Sequence, residues 1–330
     1  MYSRCNNRPV CYPFELSSQY LCPPLNSTIR NDGICPNATW NNESITVAGG
    51  NGIGSAMNQL SYPMGMYVDH DGIVYVADSY NHRIVKWRPG ALSGELVASS
   101  QQLQKEKNQL EYVASFVVAK NGTMFVCDRP NRQVRRWIPD ANEGEAFIFN
   151  ISCSGMFLTE NGFLYVVGDE KVIRWPGNEV VAGGNGAGPG LNQFSATSRI
   201  FVDQNEVVYV ADAGNHRVVR WPHGAKEGIL VASGVVGGFP LHTPVGVVVD
   251  QMGSTYVLEY GTSRITRWLK DDPYNGIVII VDKPTTNNPV PLAPYTYRYE
   301  LLFDTEGNLY AVDQYNHRIQ KYQIDKSACL

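Results

Sequence analysis

Apolar residues in this chain come in runs of about four to six, each ended by a polar pair or a glycine, which suits strands rather than helices. Residues 65–98 show the unit. Gly65–Asp69 (GMYVD) is an apolar strand, and His70–Gly72 reads as a tight hairpin turn in which glycine supplies a positive φ. Ile73–Ala77 is a second strand, Asp78–His82 a polar loop, and Arg83–Trp87 a third strand. Pro89-Gly90 breaks that strand before a fourth at Glu95–Ala98. Four antiparallel strands of this length make one propeller blade.

The pattern returns at 60–87, 110–137, 150–175, 194–221, 241–268 and 295–322, closing each time on an aromatic residue: Trp87, Trp137, Trp175, Trp221, Trp268 and Tyr322. These aromatics are 50, 38, 46, 47 and 54 residues apart, the period of a β-propeller. Fourth strands follow at Ala146–Phe149, Glu179–Ala182, Ile229–Ala232 and Ile277–Ile280, but none follows the sixth copy. A spare strand of matching type, Ser44–Ala48, precedes the first copy. Its continuation AGGNGIGSAMNQL mirrors AGGNGAGPGLNQF, which follows the third copy's fourth strand. The expected fold is therefore all-β, a six-bladed β-propeller of four-stranded antiparallel blades, closed by pairing of residues 44–48 with Arg318–Tyr322 in the last blade. Such closure removes the unpaired edges of an open sheet. The expected organisation is a Cys- and Asn-rich irregular segment at 1–43, the propeller at 44–325 and a tail at 326–330.

The segments YVADSYNHRI (75–84), YVADAGNHRV (209–218) and YAVDQYNHRI (310–319), preceded by strand-turn units such as YVDHDG (67–72), resemble the NHL repeat family. The motif is degraded in the second copy, where Arg132-Gln133 stands, and in the fifth, at Thr262–Arg264. The third copy is two residues short around Gly168–Glu170. The resemblance covers residues 44 to about 325 and implies a six-bladed propeller, in agreement with the strand count. It does not imply one activity, because the family includes partner-binding modules, RNA-binding modules and a metal-dependent lyase.

Charge and cysteine content narrow the setting. A net charge of −4 and a pI near 5.9 lack the basic footprint of a nucleic-acid surface, and no apolar run reaches the length of a membrane span. Cys5, Cys11, Cys22 and Cys35 crowd the first 35 residues, and glycosylation triplets start at Asn26, Asn37, Asn42, Asn121 and Asn150. Together they point to an extracellular protein or a cell-surface ectodomain. The start, MYSRCNNRPV, has no apolar core of a signal peptide, which suggests a fragment or a missing true start; the odd count of seven cysteines fits this. Antiparallel closure would bring Cys35 next to Cys329. Cys127 and Cys153 stand near one end of adjacent blades, as a second disulfide or as buried thiols.

Candidate chemistry is sparse. His82, His216 and His317 recur at one repeat position, but blades one, four and six set them at separated angles, so they cannot converge on one zinc ion. Asp78 with Arg83, Asp212 with Arg217, Glu259 with Arg264 and Asp313 with Arg318 read as ion pairs fixing a loop. GGNGIG (49–54) and GGNGAG (183–188) lead into strands, not helices, and so read as blade connections rather than phosphate loops. The channel strands carry no His. Asp69, Asp203, Asp250 and Asp304 are expected to cap hairpin turns. Arg199 and Glu300 replace Gly or Ser at the channel entrance.

No catalytic set, metal set or cofactor is assigned. The reading favoured is a non-enzymatic recognition module for a protein, peptide or glycan. Its variable loops are Gln101–Gln109, Asp271–Asn275 and Lys283–Tyr295, and its first candidate anchors on the loop-rich face are Tyr80, Arg129, Arg199, Glu300 and Tyr315. A glycan at Asn121 would shield the opposite face. The alternative is a metal-dependent propeller enzyme, of lyase or lactone hydrolase type, working near the central channel.

Overall fold

The computed structural model describes residues 34–99, 113–139, 141, 143–260, 264–281 and 300–329, and the backbone of two paired strands at Tyr12–Pro13 and Tyr20–Leu21. The expectations for Cys5, Cys11, Cys22, Asn26 and the loops at 101–109 and 283–295 lie outside the described residues.

Six sheets form the ring, each with four antiparallel strands running outward from the channel; the strand added to the fifth pairs in parallel with its outer strand. Blade 1 is built from Gly65–Val68, Val74–Asp78, Arg83–Trp87 and Glu95–Ser99. Blades 2, 3 and 4 repeat this order from inner strands Val113–Val118, Cys153–Leu158 and Thr197–Val202. Blade 5 starts at Pro244–Val249 and is widened to six strands by Val235–Val236 and Phe239–Pro240, which extend it beyond its outer strand Asn275–Val281. Blade 6 takes Leu301–Phe303, Leu309–Asp313 and Arg318–Tyr322 from the end of the chain and its outer strand, Ile45–Gly49, from the beginning.

The closing pair is in register, with Arg318 opposite Gly49, Ile319 opposite Ala48 and Lys321 opposite Ile45. A register shift between Ile319 and Gln320 recurs at the same place in the other blades, for example Ile84/Val85 and Val218/Val219. The borrowed strand is thus bent like any native outer strand. The closing aromatics Trp87, Trp137, Trp221, Trp268 and Tyr322 are buried and Trp175 is half-buried; Trp221 packs against Phe194 at 4.8 Å. Their size demands a glycine ahead of the outer strand. A Cβ on Gly144 would lie 2.0 Å from Trp137, and one on Gly228 2.6 Å from Trp221.

Residues 34–43, just ahead of the propeller, are tied to the end of the chain. Thr39–Trp40 pairs with Ile324–Asp325, and Cys35 is bonded to Cys329. Trp40, 4% exposed, packs on Tyr256 and Phe303 and donates its indole N–H to the Gly307 carbonyl. The ring is therefore held by a ladder, a second short ladder and a disulfide at one seam. Cys127 and Cys153 form a second disulfide, joining blades 2 and 3. Two such bonds are what an oxidising compartment sustains. Among the described residues no helix is long and apolar enough to cross a membrane.

Removing residues 1–49 takes away both ladders and leaves the edge of Arg318–Tyr322 unpaired. The truncated protein is expected to associate or fail to fold, as read by light scattering and thermal unfolding; a monomer with an unchanged melting temperature would contradict this role for the closing strand.

Candidate functional site

The two ends of the channel are built differently. At the loop-rich end, where the inner strands begin, equivalent positions hold Gly65, Ser115, Gly155, Arg199, Gly246 and Glu300. The small residues leave room for the two large ones, since a Cβ on Gly65 would meet the Glu300 carboxylate and one on Gly155 the Arg199 side chain. Arg199 and Glu300 are 4% and 8% exposed and form an ion pair at 3.4 Å. The Arg199 guanidinium donates to the carbonyls of Met64 at 2.9 Å and Ala114 at 2.8 Å, and also to that of Ser154. Glu300 accepts the Met66 N–H at 3.2 Å, and Ser198 beside Arg199 donates to the Val245 carbonyl. One cluster of bonds thus reaches all six blades and seals this end. Burial raises the Glu300 carboxyl against the lowering effects of Arg199 and the Met66 N–H. The sequence placed these two residues at the entrance as anchors for a partner. In the structure their charges are instead spent on each other and on backbone carbonyls.

Around this seal the repeat motif fastens blades 1 and 4 to the connections beside them. Asp78 binds Arg83 at 2.7 Å and accepts the Ser61 N–H, while Arg83 donates to the carbonyls of Ser55, Ala56 and Gln59. Asp212 and Arg217 do the same for Ser195, Pro189, Gly190 and Gln193. Asn51 and Asn185, inside the two GGNG segments, donate to Asn58 and Asn192 carbonyls, so these segments are braced connections.

The recurring histidines sit at left-handed positions, with φ of 52°, 52° and 53° at His82, His216 and His317. His216 accepts the Thr243 N–H at 3.0 Å and His317 the Tyr62 N–H at 3.2 Å, each reaching the next blade. Among the described residues no group of three or more His, Cys, Asp or Glu is arranged to hold a metal ion.

One aromatic cluster stands on the loop-rich face where blades 6 and 1 meet. Tyr62 lies 4.7 Å from Tyr80, 5.6 Å from Tyr315 and 4.8 Å from His317, ring centre to ring centre. Tyr80 and Tyr315 are 58% and 40% exposed. Sequence spacing singled out Tyr80 and Tyr315, which are separated by most of the chain; it missed Tyr62, which joins them. The signal was the position before Pro63, ahead of the YVADSYNHRI segment, where Tyr62 holds a φ of 46°. Arg129, exposed on the blade 2 loop, belongs to the same face.

The hairpin-turn end is open. A cavity of about 630 Å³ is walled by Phe157, Phe201, Val248, Leu302 and Phe303 and rimmed by turns of blades 2 to 6. Its rim acids Asp203, Asp250 and Asp304 accept turn N–H groups, as at Val207, Ser254 and Asn308. Asp69 does so in blade 1, toward Asp71 and Ile73. Asn121, Asn37, Asn42 and Asn150 are exposed.

Fold and repeat together define a six-bladed β-propeller that carries an NHL repeat. The NHL repeat family model matches residues 60–87. A comparison with curated proteins finds no match. Among solved structures, the chain is similar to virginiamycin B lyase from Staphylococcus aureus (12% identity, TM-score 0.54), covering 87% of this chain and 99% of that one. It is similar to a gluconolactonase from Xanthomonas campestris (11%, TM-score 0.58; 88% and 99% covered). It is also similar to the PQQ-bound aldose sugar dehydrogenase of Streptomyces coelicolor (13%, TM-score 0.58; 88% and 100% covered). At these identities the likeness is one of fold.

Two predictions follow from the seal and from His317. Arg199→Met leaves the buried Glu300 carboxylate without its cation and the Met64, Ala114 and Ser154 carbonyls without this donor, and is expected to cost about 3–5 kcal/mol in urea unfolding. Glu300→Leu is expected to cost less, because Arg199 keeps its carbonyls; equal losses would mean that the carbonyl bonds carry nothing. Burial lowers the His317 imidazole from its ordinary 6.5, with Asp313 and Asp78 opposing. The unfolded chain then binds the proton more tightly, so this contribution is present above pH 6.5 and is lost as pH falls through that value toward the lowered folded one. His317→Asn should flatten the slope of unfolding free energy against pH in this window.

Proposed function

We propose that this propeller is a non-enzymatic recognition module of the extracellular space, which binds a protein, peptide or glycan through its loop-rich face. The observation that carries the reading is the cluster of Tyr62, Tyr80 and Tyr315 on that face. Tyrosine offers a large, stiff contact area with a polar tip, and is a favoured anchor at protein interfaces. Here the rings are braced by contact and by the His317 bond to the Tyr62 backbone, so little order is lost when a partner docks. The sealed channel behind them supplies a rigid floor. The two disulfides and the exposed acceptor asparagines Asn37, Asn42, Asn121 and Asn150 support an extracellular setting.

The test is affinity capture from the native extracellular milieu, with Tyr80→Ala/Tyr315→Ala as the comparison protein. These substitutions are expected to weaken capture of a specific partner by roughly 2 kcal/mol or more while leaving the melting temperature unchanged. Full retention by the double variant, with loss on altering the Asn121 turn instead, would place recognition on the opposite face.

A further inference from the structure

The cavity at the hairpin-turn end is not part of the recognition face, and its shape and charges specify a ligand of their own. Its volume of about 630 Å³ lies within the range of small-molecule sites. It is a blind cup, because the Arg199–Glu300 cluster closes the far end of the channel. Its walls are apolar and aromatic, with Phe157 and Phe201 in edge contact at 5.2 Å. It is also lopsided. No blade 1 residue lines it, and on the other side it continues past Tyr209, Arg220, Gly253 and Lys270 into a slot of about 230 Å³ between blades 4 and 5. Ile229, Val231 and Leu269 line the outer part of that slot.

Charge decides what the cup and slot accept. Five carboxylates line the cup, yet four are already engaged. Asp203 accepts the Asn205 and Val207 N–H groups of its own turn. Asp250 is held by the Met252 and Ser254 N–H groups and by the Tyr256 hydroxyl. Asp304 is held by Asn308 and Tyr310 and pairs with Lys321 at 3.3 Å; Glu206 pairs with Arg174 at 2.7 Å. Among the described residues Glu160 accepts no such bond, and Asp203 uses one oxygen for both of its bonds. The cations are spent far less. Among the described residues, Lys120 and Lys270 form no ion pair. Arg220 hydrogen-bonds the Tyr209 hydroxyl and lies 3.6 Å from the exposed Asp271, and its buried Nε donates no hydrogen bond. An orphaned buried guanidinium N–H next to an uncompensated lysine, at the junction of cup and slot, is a binding point for an anion.

We propose that this end of the channel binds an amphipathic organic anion, with its apolar body in the cup and its acidic group between Arg220 and Lys270. Burying an aliphatic body against Phe157, Phe201, Leu302 and Phe303 supplies the affinity, and the two cations set the orientation.

Dodecanoate below its micelle concentration is the probe, followed by isothermal titration calorimetry, with dodecyltrimethylammonium as the same chain bearing the opposite charge. The expected result is saturable one-to-one binding of dodecanoate and none of the ammonium. Arg220→Gln/Lys270→Gln should weaken it roughly tenfold or more, and Lys120→Gln, across the cup, should leave it unchanged. If the double variant does not fold, the exposed Lys270→Gln alone serves. Tighter binding of the ammonium, no saturable binding of either probe, or full dodecanoate affinity in the slot variants would each overturn the proposal.

Discussion

The ring depends on one buried contact, the ion pair between Arg199 and Glu300 across the channel. A propeller packs each blade only against its two neighbours, so nothing in ordinary blade packing ties opposite sides together. The Arg199 guanidinium does so because its planar fork of donors can serve several acceptors at once. It takes carbonyls from blades 1, 2 and 3, while its charge is met by blade 6. The desolvation cost of such a pair is high, and its value lies in geometry more than in net stability. Gly65 and Gly155 at the same level make the space for it.

Outside that centre, fastening is local and repeated. The acid–arginine pairs of blades 1, 4 and 5 bind the loops leading into their own blades, and the left-handed histidines of blades 4 and 6 bind the backbone of the next blade. Where the motif is degraded the same contacts are made by other residues. Arg132 takes the left-handed position of blade 2 and reaches Asp169 in blade 3 at 2.9 Å. Glu206 occupies the hairpin position that is glycine elsewhere, with a φ of 59°, and uses its side chain to hold Arg174.

These two levels of bonding divide the molecule into unlike ends. Loops and connections crowd the sealed end and bring tyrosines from distant parts of the chain into one braced cluster. The turns at the other end are short, so the channel stays open there and exposes the apolar ends of the inner strands. The N-terminal segment borders this open end, with Trp40 against Phe303, and so belongs to the wall of the fold.

The sequence by itself determined the blade count, the strand order and the closing strand, because these rest on short-range periodicity and on a repeat copied six times. It also determined the local pairs, such as Asp78 with Arg83 and Asp69 with its turn, whose partners lie within five residues. It brought Cys35 and Cys329 together through the antiparallel register of the closing seam. What only the tertiary structure decided is what lies across the channel or across a blade boundary. Arg199 and Glu300 stood out as exceptions to a glycine pattern, yet nothing local says that they meet, since they lie about a hundred residues and two blades apart along the chain. Tyr62 joins Tyr80 to Tyr315 only because closure makes blade 6 the neighbour of blade 1. The blind cup exists because one end is plugged and the other is not, a difference created by the placing of two side chains and invisible to any pattern read along the chain.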